Sequence, residues 1–109
     1  MRIRKDIEVL DTNLSNEEIN LVAKVSDAFA HPARVAMFRF IYNANIERRS
    51  VCNKDLVEEF GYAQATVSQH MQKLTIGGLV EIKREGSFAY YFVNIGMLGQ
   101  YVDAVKKFR

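Results

Sequence analysis

The hydrophobic period of the chain changes at Gly77-Gly78, and this change limits the folds open to it. Ahead of the glycine pair, apolar residues recur at intervals of three and four. Behind it, Leu79, Val80 and Ile82 lead in alternating fashion to the turn-like Lys83-Arg84-Glu85-Gly86-Ser87 and a second run, Phe88 to Val93. A mainly helical body carrying one small β-hairpin with a basic tip is the expectation. The 109 residues have room for one compact domain spanning 1–109, which excludes a two-domain enzyme.

The helical part divides at recognisable signals. Ser15 and Glu18 have capping-box spacing, and Ile19, Val22, Ala23, Val25 and Phe29 follow at helical intervals, which predicts a helix over Asn16 to Ala30. Pro32 suits the first turn of a second helix, whose apolar face is Val35, Phe38, Ile41 and Tyr42 and whose end is expected near Tyr42. Asn43, Ala44 and Asn45 break the pattern. A loop with Arg48 and Arg49 should then lead to a two-turn helix marked by Leu56, Val57 and Phe60.

Gly61 tolerates the left-handed backbone that closes such a helix, and another helix must start within a few residues, the spacing of a helix-turn-helix. Val67, Met71 and Leu74 form its narrow apolar stripe, while Ala65, Thr66, Ser68, Gln69, Gln72 and Lys73 cover the rest with amides and hydroxyls, almost without acid. At the far end, Leu98, Tyr101, Val102, Val105 and Phe108 form a seam on a terminal helix. A chain this short gains core from a partner subunit, so the seam is expected to dimerise beside the first helix.

Charge and composition add exclusions. Residues 1–30 carry four Lys/Arg against six Asp/Glu and residues 31–109 carry eleven against seven, a basic bias compatible with a polyanion. Apolar stretches such as Val35 to Phe38 fall far short of the roughly 20 residues that span a bilayer. Asp6, Glu8 and Asp11 occupy the place of a signal peptide's apolar core, so a cytoplasmic protein without membrane attachment is expected. One cysteine, Cys52, forms no internal disulfide, and with His31 and His70 it is too little for a structural zinc site.

Five pieces in order carry a family likeness. Phe29-Ala30-His31-Pro32-Ala33-Arg34, Thr66-Val67-Ser68-Gln69-His70-Met71-Gln72-Lys73-Leu74, Gly78-Leu79-Val80, Arg84-Glu85-Gly86 and Tyr90-Tyr91 resemble the arsenic-repressor (ArsR) family of winged-helix transcription factors, from about Ala28 to Val93. Two residues depart from that pattern. His31 stands where the family has a capping aspartate. Ala63 stands where a serine caps the recognition helix, an exchange that costs about 1 kcal/mol. The segment Asn43 to Arg49 also looks longer than the family's connection.

The resemblance implies a homodimeric winged helix-turn-helix regulator, a repressor more than an activator, on double-stranded DNA with a pseudo-palindromic operator. Gln64, Thr66, Ser68 and Gln69 are the base-reading candidates because they can donate to and accept from base edges, and Lys73 joins them as a DNA-contacting cation. His70 stands between two readings, a packed hydrogen-bonded side chain or a residue near the DNA backbone. Lys83 and Arg84 are the wing's candidates for the minor groove or phosphates. Arg48, Arg49 and Lys54 serve phosphate contact and ordinary solubility equally well.

Leu98, Tyr101, Val102 and Val105 are the expected dimer interface. The family's metal sensors use a paired thiolate or Asp and His pairs on the terminal helix. Cys52 is alone and residues 96–109 hold no histidine, so neither metal nor cofactor is expected. Cys52 is read as a small, partly buried residue, with a redox switch as its alternative, and the effector is an unidentified small molecule or redox signal. No nucleophile, base and oxyanion hole assemble, so no enzyme is expected. The competing function is a winged helix used for protein association without DNA binding.

Overall fold

The computed structural model describes residues 13–108, and the acid-interrupted amino-terminal segment lies outside them. Helix α1 is Asn16–Ala28 and starts as the capping box requires, with the Glu18 N–H donating to Ser15 Oγ at 3.1 Å and the Ser15 N–H to Glu18 Oε1 at 3.0 Å. It ends two residues before the expected Ala30. The Arg34 guanidinium takes up the carbonyls of Ala28 (2.7 Å) and Asp27 (3.3 Å), satisfying the helix end there.

Helix α2, Pro32–Ile46, has proline in its first turn. His31 caps it in place of an aspartate, its Nδ1 accepting the Ala33 N–H at 3.0 Å. The helix runs past the expected Tyr42 through all three residues read as breakers. Ala44 is buried, and Asn45 reaches out of the helix with both ends of its amide: Nδ2 donates to the Arg49 carbonyl at 3.0 Å, and Oδ1 accepts the Val93 N–H at 2.9 Å. Tertiary partners here outweigh a low helix propensity. Val35, expected on the apolar face, is exposed, and Met37 takes the buried position.

The two-residue strand β1, Val51–Cys52, leads into α3, Asn53–Phe60. Gly61, at φ 72°, closes α3 with a left-handed residue, and α4, Gln64–Ile76, starts after a short turn, completing the expected helix-turn-helix. Strands β2, Val80–Glu85, and β3, Phe88–Val93, form the expected wing, followed by α5, Ile95–Lys106.

The wing is larger than a hairpin. Its order is β1-β3-β2, all antiparallel, with Val51 opposite Tyr91 and Ile82 opposite Tyr91 on the other side. A two-residue strand is too short for its own periodicity to reveal, so β1 lies within the loop expected ahead of α3.

The core gathers the inner faces of α1 to α4 and the base of the wing: Val25, Met37, Ile41, Leu56, Val67, Met71, Leu74 and Leu79 are almost fully buried. The stripe Val67, Met71 and Leu74 therefore faces inward as expected, which aims the opposite face of α4 at solvent. Burying one such side chain contributes about 1.5–3 kcal/mol. At the end of α4 the backbone runs so close to α1 that a Cβ on Gly77 would stand 2.5 Å from the Ala28 Cβ. Helix α5 lies along α1, joined by Lys107 Nζ to Glu18 Oε2 at 3.0 Å and by Ser26 Oγ to Tyr101 Oη at 3.1 Å. Hydrogen bonding from Ser15, followed by the Lys107 ammonium, holds the Glu18 carboxyl below its usual pKa.

Candidate nucleic-acid interface

The core stripe fixes the rotation of α4, and the wing folds back beside it. Between them runs a groove of about 480 Å³, lined by Gln64, Ser68 and Gln72 from the helix and by Ile82, Arg84 and Ser87 from the wing, with Met71 and Tyr91 below. No carboxylate lines it among the described residues. Ala63 gives α4 no side-chain cap, as its methyl dictates, yet the helix begins at Gln64, with the Val67 N–H donating to the Ala63 carbonyl at 3.0 Å.

The structure divides the candidates of the reading helix between two flanks. Gln64 and Ser68 open onto the wing groove, together with Arg84. Gln69, His70 and Lys73 line a smaller hollow on the other flank with Arg34 and Ile76. Gln64, Ser68, Gln69 and Lys73 are exposed, whereas Thr66 is half-buried. Lys83 is exposed on the wing, 4.0 Å from the Glu85 carboxylate, and is not among the groove-lining residues.

His70 is half-buried beside His31, with ring centroids 4.7 Å apart, and its Nδ1 lies 3.4 Å from Arg34 Nη1. Guanidinium only donates, so His70 accepts there as a neutral ring with its proton on Nε2. Burial first, then the charges of His31 and Arg34, lower its pKa below the usual 6.5. A histidine with a lowered native pKa takes up its proton in the unfolded chain before it does so in the folded one. Stability is therefore fully present above the ordinary value and is lost as pH falls from there through the lowered native value. The urea midpoint should drop over this acidic range, and drop less in His70→Gln. Equal pH dependence of the two proteins would refute the assignment.

Sequence reasoning missed Asn53 and Tyr91 as members of the site. Tyr91 Oη donates to Asn53 Oδ1 at 2.7 Å, and Asn53 Nδ2 donates to Ser68 Oγ at 3.0 Å, joining the wing, α3 and the reading helix α4. Burial raises the Tyr91 pKa above its usual value. The one available signal was a tyrosine pointing inward on a strand whose hydroxyl must find a partner when buried.

The remaining candidates lie elsewhere. Arg48 and Arg49 border a different hollow with Asp55, Glu58 and Glu59, and Arg49 is held by Glu47 at 2.6 Å. Cys52 is half-buried, its N–H donating to Asp55 Oδ2 at 2.9 Å. On α5, Leu98 and Tyr101 pack against the chain's own core, while Val102 and Val105 are 42% and 38% exposed. Ile95 and Phe108 are exposed as well. Among the described residues, no group of three or more His, Cys, Asp or Glu converges as metal ligands, and no helix is long and apolar enough to cross a membrane.

Comparison with known proteins places this geometry. Residues 45–81 match the family described as "Bacterial regulatory protein, arsR family". The chain is 26% identical over 77 residues to an uncharacterized HTH-type transcriptional regulator of Methanocaldococcus jannaschii, covering 71% of this chain and 82% of that protein. It is 33% identical over 79 residues to a protein of Halobacterium salinarum described as an arsenical resistance operon repressor, covering 72% of this chain and 64% of the relative's length.

Among solved structures, one described as a transcriptional regulator for arsenical resistance superposes with a TM-score of 0.67 at 24% identity, over 78% of this chain and 83% of that one. A winged helix-turn-helix DNA-binding domain from Mycobacterium bovis, homodimeric in solution, gives 0.62 at 23% identity, over 97% of this chain and 88% of that one. These matches bear out the ArsR-type resemblance read from the motifs, and the fold is a winged helix-turn-helix.

Proposed function

We propose that this ArsR-type DNA-binding domain works as a homodimeric transcriptional repressor in the cytoplasm, occupying a pseudo-palindromic operator until an effector releases it. The observation that carries the reading is the acid-free polar face of α4 opening onto a groove shared with Arg84 of the wing. Phosphates repel acids, while amides and hydroxyls in the major groove read base edges and an arginine beside them holds backbone or minor groove. Exposed Val102 and Val105 on α5 support a second copy there, and the Mycobacterium bovis relative is homodimeric. Two-fold symmetry would then present two α4 helices to two half-sites.

Electrophoretic shift on DNA upstream of the chain's own coding sequence, against random duplex, tests the reading, and equal affinity for both sinks it. The wing is tested separately. Arg84→Ala should weaken binding to both duplexes and shallow the dependence of log K on log salt by about one counterion. An unchanged salt slope would remove Arg84 from the phosphate-contacting set.

A further inference from the structure

We propose that Asn53 is a positioning residue that presents the Ser68 hydroxyl to DNA as a hydrogen-bond donor, making Ser68 selective against a facing cytosine. The inference rests on α4 being the reading helix. What carries it is the direction of two hydrogen bonds. Tyr91 is 5% exposed, and its hydroxyl donates to Asn53 Oδ1 at 2.7 Å. The structure turns Asn53 Oδ1 to the phenol, and since an amide oxygen only accepts and an amide nitrogen only donates, the phenol donates in this placement and the other end of the amide is left to face α4. That end is Nδ2, which donates to Ser68 Oγ at 3.0 Å.

Ser68 thereby spends a lone pair and keeps its proton. Helical hydroxyls commonly return that proton to the carbonyl four residues back, as Thr75 Oγ1 does to Met71 O at 2.8 Å. Ser68 makes no such bond; it is exposed and opens onto the groove. In the major groove guanine offers the acceptors N7 and O6, thymine the acceptor O4 and adenine the acceptor N7 beside its amino donor, whereas cytosine offers only its amino donor. A serine with its proton free and one lone pair occupied is biased toward the first three. The bias is set by the Tyr91–Asn53 pair, which touches no base itself.

Selection from a randomised duplex pool with the full chain tests this, comparing wild type with Ser68→Ala, Asn53→Ala, Tyr91→Phe and the Asn53→Ala/Ser68→Ala double variant. Wild type should disfavour cytosine at one position by about three- to tenfold, the range of one ordinary hydrogen bond. Ser68→Ala should erase that preference, and Asn53→Ala and Tyr91→Phe should each reduce it at the same position and nowhere else. The double variant should behave as Ser68→Ala alone. A purely structural Asn53 would lower affinity for all sequences alike and leave the base pattern intact, which overturns the proposal; Tyr91→Phe, which keeps the buried ring, guards against misreading a folding defect. A pattern unchanged in Ser68→Ala overturns it too, while site selection by wild type survives. Wild type that selects no sequence overturns both this inference and the DNA-binding reading.

Discussion

Val102→Asp is expected to leave a folded monomer that binds operator DNA at least a hundredfold more weakly than wild type. The side chain is 42% exposed on α5, so an aspartate there meets water in the monomer and costs the fold little. In a two-fold interface the substitution enters twice, once from each copy, and both carboxylates are buried with no partner to offset them. Loss of the dimer removes one of two linked half-site contacts, and the advantage of linkage alone is about 10²–10⁴. Sedimentation reads the mass and fluorescence anisotropy the affinity. An unchanged mass defeats the α5 interface, and a monomer that still binds the full operator tightly defeats the two-half-site reading.

Gln69→Ala should weaken binding to the cognate site by about 1–3 kcal/mol and to random duplex hardly at all. The amide is exposed on the flank of α4 away from the wing groove and makes no side-chain hydrogen bond to another described residue, so truncation removes no internal hydrogen bond among them. Competition titrations with both duplexes measure the difference. Equal losses on the two would move base reading to the groove-facing flank, where Gln64, Ser68 and Gln72 lie.

Periodicity carried much of this architecture. The stripe Val67, Met71 and Leu74 has helical spacing, and once it is buried the outward face of α4 follows by geometry. Gly61 and Pro32 act through their own backbones, so their roles were visible locally. The misreadings came where distant partners decide. Asn45 looks like a helix breaker until it is paired with Val93, and β1 exists because β3 passes beside it. On α5, spacing alone likewise does not separate Leu98 and Tyr101, which pack against the chain's own core, from the more exposed Val102 and Val105. The Asn53 bridge joins residues far apart in sequence through amide orientation, which no local pattern encodes.

The close approach of Gly77 to Ala28 has a consequence for how this sequence can drift. With 2.5 Å between a would-be Cβ and the Ala28 methyl, the two positions share the space of a single side-chain carbon. With the helices at this spacing, an alanine at 77 therefore calls for a glycine at 28, which loosens the end of α1. Any lineage that exchanges the pair must pass through one clashing or one slackened intermediate. The two sites are thus expected to be inherited as a unit, and the spacing of α1 against α4 to outlast the surface residues that read the DNA.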